Sequence, residues 1–143
     1  MRAVAHMNSE KFDNIAELTL SKMEEEAKRM GVKGVAVVAN LEEGDSISWA
    51  SRMRVAGSMR TPADEEGEYF NFVGVAYAKM SEMMDTKQDS GSGIRPKIWG
   101  ELGYQGGAIR SHDGGYIAAA FSGASSEDDY LISVAALDFI ENC

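Results

Sequence analysis

The sequence predicts an α+β fold in which three helices pack on an antiparallel sheet of about five strands. Apolar residues recur at helical spacing in three separate segments. Short runs rich in valine, isoleucine and aromatic residues lie between these segments, and the tight-turn sequence Asp113-Gly114-Gly115 joins two of the runs. The predicted order is helix, strand, strand, helix, three strands, helix. Because short turns join neighbouring strands, we expect antiparallel pairing.

The first helix and the first two strands have clear local signals. Apolar or small side chains fall three or four residues apart over 9–30, with Ser9 as the predicted N-cap and Gly31 as the terminating residue. The valine-rich run 31–40 is too short for a helix and predicts a strand. Turn residues at 42–45 then lead to a second strand, so these two strands form a predicted hairpin.

The second helix is predicted to begin at Thr61-Pro62, a favourable N-cap and N1 pair, and to end near Thr86. Its core stripe is predicted at helical spacing, on Phe70, Val73, Tyr77, Met80 and Met84. The segment 87–97 contains glycine, serine and proline without periodicity, which predicts a mobile surface loop.

The last third of the chain predicts three strands and a helix. Residues 98–105 form the predicted third strand, and the runs on either side of the 113–115 turn form the other two. Ser122-Gly123 ends the last strand. Ser125 together with Asp128 predicts the cap of the final helix, which continues through 129–140.

Composition and charge narrow the class of protein. The 143 residues include 23 acidic and 14 basic side chains, and the net charge of −9 opposes binding to nucleic acid or to an anionic membrane. Cys143 is the only cysteine, so no intrachain disulfide forms and we expect a cytoplasmic protein. No segment has the length and hydropathy of a membrane span. Residues 1–8 are expected to be a leader or an expression-tag remnant, and 9–143 a single domain.

Short motifs follow one another along the chain in a fixed order. They are Arg52-Met53, Ala76 with Lys79, Gly106-Gly107, Asp113-Gly114, Ser122-Gly123 and Asp128. In this order and spacing the chain resembles the GlcG/HbpS-like family, whose domain is labelled haem-degrading and also forms the C-terminal part of PduO-type proteins. The resemblance covers about residues 9–142. Ile109 stands where the family usually has proline.

The resemblance implies a profilin-like or PAS-like layered sandwich. It also implies assembly into dimers or larger homo-oligomers, and haem or a related planar or carboxylate-bearing molecule as the ligand. Arg52 and Lys79 match the cations of the family and would pair with ligand carboxylates, such as haem propionates, in a cleft between the sheet and the second helix. Surface salt bridges to the many acidic residues are the alternative.

Other candidate ligand-binding residues lie near the last strand. The imidazole of His112, beside Asp113 at the hairpin turn, is a type of group that ligates haem iron, and a solvated turn histidine is the alternative. Ser122 and Gly123 precede a helix whose backbone N–H groups suit an anion, although helix capping alone more often explains such a segment. The carboxylates of 65–68 have the spacing of a metal-binding pair, but an acidic first helical turn explains them more simply, so no metal site is predicted.

The first functional prediction is a protein that binds a small ligand near Arg52, Lys79 and the 112–123 segment. The second is a structural or regulatory interaction module that binds no small ligand. The third is an enzyme that acts on a small organic acid. Only the two cations Arg52 and Lys79 favour an enzyme, and the sequence shows no recognisable catalytic base or nucleophile. The enzyme is therefore the least favoured of the three functions.

Overall fold

The computed structural model describes residues 9–43, 48–61 and 69–142. The elements in chain order are α1 (Ser9–Met30), β1 (Gly34–Glu42), β2 (Trp49–Ala56), α2 (Phe72–Thr86), β3 (Gly107–His112), β4 (Gly115–Ser122) and α3 (Ser126–Glu141). The described residues therefore confirm the α+β class with three helices. The sheet has four strands in the order β2-β1-β4-β3, with every neighbouring pair antiparallel, in place of the five predicted strands.

The predicted strand over 98–105 is wrong. The backbone N–H of Glu101 donates to the carbonyl of Ile98 at 3.1 Å, which closes a turn. Gly100 and Gly103 have φ angles of +95° and +74°, a region that extended backbone does not use. The two glycines therefore bend this segment instead of extending it.

The start predicted for α2 is also wrong. The helix begins at Phe72, and the Asn71 side chain caps it by accepting a hydrogen bond from the Gly74 N–H at 3.1 Å. Thr61 instead accepts a hydrogen bond from the Phe70 N–H at 2.9 Å, and Pro62 lies outside the described residues. The buried stripe contains Phe72, Ala76, Met80 and Met83, whereas Phe70 precedes the helix and is 60% exposed. The predicted helix end at Thr86 is confirmed.

The local signals near the two ends of the chain are confirmed. Gly31 terminates α1 with a φ of +72°, and the Ser125 hydroxyl accepts a hydrogen bond from the Asp128 N–H at 3.1 Å at the start of α3. Asp113 and Gly114 both have positive φ, so they form the two-residue turn that joins β3 to β4.

The helices cover the two faces of the sheet separately. Helices α1 and α3 pack on the face that includes Val38, Ala119 and Phe121. Helix α2 packs on the opposite face, which includes Val37 and Ala120. Each face is apolar along both central strands, so the sheet is buried between two helical layers.

The segment predicted as a mobile loop is attached to the edge strand β3. The Gly107 N–H donates to the hydroxyl of Ser90 at 2.8 Å, and the Ile109 N–H donates to Asp89 at 3.0 Å. Ser90 is buried. This segment therefore supplies hydrogen-bond acceptors for backbone N–H groups of β3, which an uncovered edge strand would leave without protein partners.

Candidate functional site

Two adjoining cavities lie at the end of the sheet where β1 begins and β4 ends. The first has a volume of about 300 Å³ and lies between α2 and the start of α3. The second, of about 530 Å³, lies beside the residues that precede β1 and follow β2. Thr61, Phe72 and Gly123 line both cavities. We call the two cavities together the end groove.

Aromatic side chains form the walls of the first cavity. Phe70 and Tyr104 are largely exposed at its mouth, and Phe72 is almost fully buried deeper inside. The polar groups of the lining come from Lys79, from Asp129 and from the segment 122–126, which leads into α3. A small, mainly apolar cavity with a few polar groups is the usual form of a small-molecule site, which ranges from about 300 to 1,000 Å³.

A buried ion pair lines the first cavity. The Lys79 Nζ donates to Asp129 Oδ2 at 2.9 Å and to the backbone carbonyl of Phe121 at 2.6 Å. The two side chains are 3% and 5% exposed, respectively. Asp129 Oδ1 also accepts a hydrogen bond from the Ala124 N–H at 2.9 Å, so the pair is fixed to the segment that leads into α3.

Gly106 makes room for this pair. A Cβ atom at position 106 would lie 2.5 Å from the Lys79 Nζ and 2.8 Å from the Asp129 Cβ, and the φ of Gly106 is +133°. The Ser133 hydroxyl donates to the Gly106 carbonyl at 2.7 Å, which holds this backbone against α3. The Lys79 side chain can thus pass the end of the sheet and reach a helix on the opposite face.

Burial opposes the charged form of both members of the pair. It lowers the pKa of Lys79 and raises the pKa of Asp129, although the attraction between the two groups works in the other direction for each. Proton exchange within the pair is therefore easier than between two exposed side chains.

Two further cations line the second cavity. Lys33 precedes β1, and Arg60 follows β2 and lies over the Tyr69 ring at 4.7 Å from its centroid. Neither has an ion-pair partner among residues 9–43, 48–61 and 69–142. The end groove therefore has Lys33 and Arg60 in its second cavity, the Lys79–Asp129 pair and aromatic walls in its first, and Phe72 in the lining of both.

Arg52 lies away from the end groove. It stands opposite Val38 in the sheet register, so its side chain points to the α1 face, where its guanidinium is 3.8 Å from the carboxylate of Asp13. Lys79 lines the groove and Arg52 does not, so the structure separates the two cations that were expected to share one cleft. Ser122 and Gly123 lie beside Lys79 in the first cavity.

His112 and Asp113 lie at the opposite end of the sheet. They line a separate cavity of about 340 Å³ with Glu43 and Tyr116. Asp113 forms an ion pair with Lys11, and the hydrogen bond from Lys11 lowers the pKa of the Asp113 carboxyl. The Nε2 atom of His112 is buried and has no hydrogen-bond partner among the described residues. Seven strand positions, or roughly 23 Å, separate this end from Ser122.

The residues expected to hold haem therefore do not surround one cavity. His112 lies at one end of the sheet, and Lys79 lies at the other end. Arg52 lies on the face that α1 covers. Within the part of the chain that the structure describes, no group of three or more His, Cys, Asp or Glu side chains could hold a metal ion. The carboxylates of 65–68 lie outside that part. None of the described helices is long and apolar enough to cross a membrane.

Comparison of the chain with known protein families, curated proteins and solved structures gives no match. The GlcG/HbpS-like resemblance therefore stays a prediction, and the assignment of a site depends on geometry alone. The sequence pointed to Lys79, Ser122 and Gly123 in the groove. It missed Asp129, because an acidic residue in the first turn of a helix is already explained by the helix dipole.

Proposed function

We propose that the protein binds a small molecule with a planar apolar body and one carboxylate in the end groove. The observation that carries the proposal is the arrangement of the groove, with aromatic walls in the first cavity and the cations Lys33 and Arg60 in the second. Phe72 lines both cavities, so a ligand that lies against it borders both of them.

The charges around the groove favour one orientation of this ligand. Glu127, Asp128 and Asp129 all lie in the first turn of α3, beside the Lys79 end, and Lys79 already pairs with one of them. A second anionic group there would meet net negative charge. The carboxylate is therefore assigned to the Lys33 and Arg60 end, where a guanidinium can bind it with two hydrogen bonds.

The apolar body of the ligand is assigned to the aromatic walls. Phe70 and Tyr104 are exposed at the mouth of the first cavity, so a planar ligand would cover apolar surface that now faces water. Haem is not part of the proposal, because His112 lies at the far end of the sheet.

Naphthoate, a planar aromatic monocarboxylate, is a suitable probe. We expect saturation-transfer NMR to detect its binding and calorimetry to show about tenfold weaker affinity for Arg60→Gln, the loss of one charge-assisted contact. Arg110→Gln is the matched control, because Arg110 pairs with Asp138 and Glu141 on α3, away from the groove. Absence of naphthoate binding, or equal weakening by both variants, would contradict the proposal. Loss of binding in His112→Ala would also contradict it.

The exposed turn at Trp99 favours a second candidate function, self-assembly as an interaction module. Trp99 is fully exposed, and Ile94, Ile98, Leu102 and Tyr104 in the same segment of the chain are also exposed. Arg95 holds the turn, because its guanidinium donates two hydrogen bonds to Asp85, at 2.6 and 2.9 Å, and two to Glu101, at 2.7 and 2.8 Å. An exposed tryptophan on a turn that hydrogen bonds hold, in a segment with several exposed apolar residues, is typical of an interface anchor.

We propose that this turn joins two or more copies of the chain. Analytical ultracentrifugation should show a homo-oligomer that Trp99→Ala converts to monomer, and the exposed Tyr69→Ala serves as the control. A monomeric wild-type protein, or an oligomer that Trp99→Ala leaves intact, would contradict this candidate. Native mass spectrometry on the same samples separates it from the first, because a bound small molecule adds mass without changing the number of chains.

A further inference from the structure

We propose that Lys79 is a nucleophile that forms an imine with a carbonyl group of the bound ligand, and that Asp129 accepts and returns the proton. The ligand class is then an aldehyde or ketone that also carries a carboxylate. This inference rests on the proposed function, because binding of the carboxylate at the Lys33 and Arg60 end places the rest of the ligand toward Lys79.

The position of the amine suits this chemistry. A lysine ammonium has three N–H donors, and Lys79 uses two of them, for the Phe121 carbonyl and for Asp129. The third has no partner among the described residues, and Lys79 lines the first cavity. A purely structural ion pair would not need to border a cavity with aromatic walls.

The environment also favours a neutral amine, which is the reactive form. Burial lowers the pKa of Lys79 and raises the pKa of Asp129, so both shifts favour transfer of a proton from the ammonium to the carboxylate. The two groups are 2.9 Å apart, within direct proton-transfer distance.

The step balances without an oxidant or a reductant. Asp129 takes one proton from Lys79, and the amine lone pair attacks the carbonyl carbon to form a C–N bond. The carbonyl π electrons move to oxygen, and one proton passes from the new ammonium nitrogen to that oxygen, which gives a neutral carbinolamine. The protonated Asp129 then donates its proton to the hydroxyl, water leaves, and the nitrogen lone pair forms the C=N bond, so that a protonated imine faces the ionised Asp129.

The test uses para-formylbenzoate, a planar carboxylate that carries an aldehyde, with the whole chain and cyanoborohydride at neutral pH. Hydride reduces any imine to a stable amine, and peptide mass spectrometry then locates it. We expect labelling at Lys79 to be at least about tenfold faster than at the exposed Lys97, with naphthoate suppressing the Lys79 label and leaving the Lys97 label unchanged. Asp129→Asn should slow the Lys79 labelling, because the amide cannot accept the proton of the ammonium.

The outcomes separate this inference from the proposed function. Naphthoate binding with labelling at Lys79 no faster than at Lys97 would overturn the imine and leave the binding proposal standing. Absence of both naphthoate binding and Lys79 labelling would overturn both. Because the label is mapped on the wild-type protein, the result does not depend on whether a Lys79 variant folds.

Discussion

The ammonium of Lys79 on α2 lies 2.9 Å from the carboxylate of Asp129 on α3, so one buried ion pair joins helices on opposite faces of the sheet. The pair lies at the end of β4, where the Lys79 ammonium also donates a hydrogen bond to the Phe121 carbonyl. Removing either charge leaves the other in a low-dielectric environment without its ionic partner. The same contact therefore matters for stability and for the chemistry of the end groove.

The first prediction concerns the stability of this pair. Asp129→Asn should lower the free energy of unfolding by about 3–5 kcal/mol, because the Lys79 charge would remain buried without its partner. The double variant Lys79→Met/Asp129→Leu removes both charges and should recover much of the loss. Urea denaturation monitored by circular dichroism measures both changes. Asp138→Asn, which affects an exposed pair with Arg110, should change the value by less than about 0.5 kcal/mol.

The second prediction concerns the glycine beside the pair. Gly106→Ala should destabilise the protein by about 1–3 kcal/mol from backbone strain alone, with a further loss from contact with Lys79 and Asp129. It should also weaken naphthoate binding, since the Lys79 side chain must move. Gly93→Ala is the matched control, because its φ is also positive and no atom lies within 4 Å of its added Cβ. Equal effects of the two substitutions would show that the pair does not require Gly106.

The third prediction concerns the turn that presents Trp99. Hydrogen bonds from Arg95 lower the pKa of Glu101 from 4.5 to about 2. Because this pKa is lower in the folded state, the stabilisation is complete above pH 4.5 and is lost as the pH falls through about 2. An NMR titration of the Glu101 carboxyl should give this value, and Arg95→Gln should raise it toward 4.5. A titration midpoint near 4.5 in the wild-type protein would contradict the geometry of the turn.

The sequence predicted the elements whose signals are local. Helix α1 has regular spacing along its whole length, and the β3–β4 turn has Asp113 and Gly114, which adopt positive φ readily. The prediction of a strand over 98–105 is wrong because Gly100 and Gly103 interrupt a run whose other residues are typical of a strand. One glycine in a strand pattern is often tolerated, and only the structure shows that these two turn the chain.

The site was less predictable, because its residues come together through the sheet register. Arg52 has the residue type of a ligand-binding cation, but its face depends on pairing with Val38, and a shift of one residue would reverse it. Lys79 and Asp129 are separated by 50 residues, and no local pattern links them. Lys33 and Arg60 likewise lie next to different strands, and only the fold brings both into the lining of one cavity at the end of the sheet.

The last prediction concerns the start of α2. Asn71→Ala should lower the free energy of unfolding by about 1 kcal/mol, because the Gly74 N–H would lose the side-chain acceptor that now lies at 3.1 Å. Asn71→Asp should keep most of the stability, since a carboxylate accepts the same hydrogen bond and its charge suits a helix N-terminus. Chemical denaturation of both variants measures the difference. If Asn71→Ala proved neutral, the cap would have to lie elsewhere. Because Phe72 follows Asn71 directly and lines both cavities, Asn71→Ala should also weaken naphthoate binding.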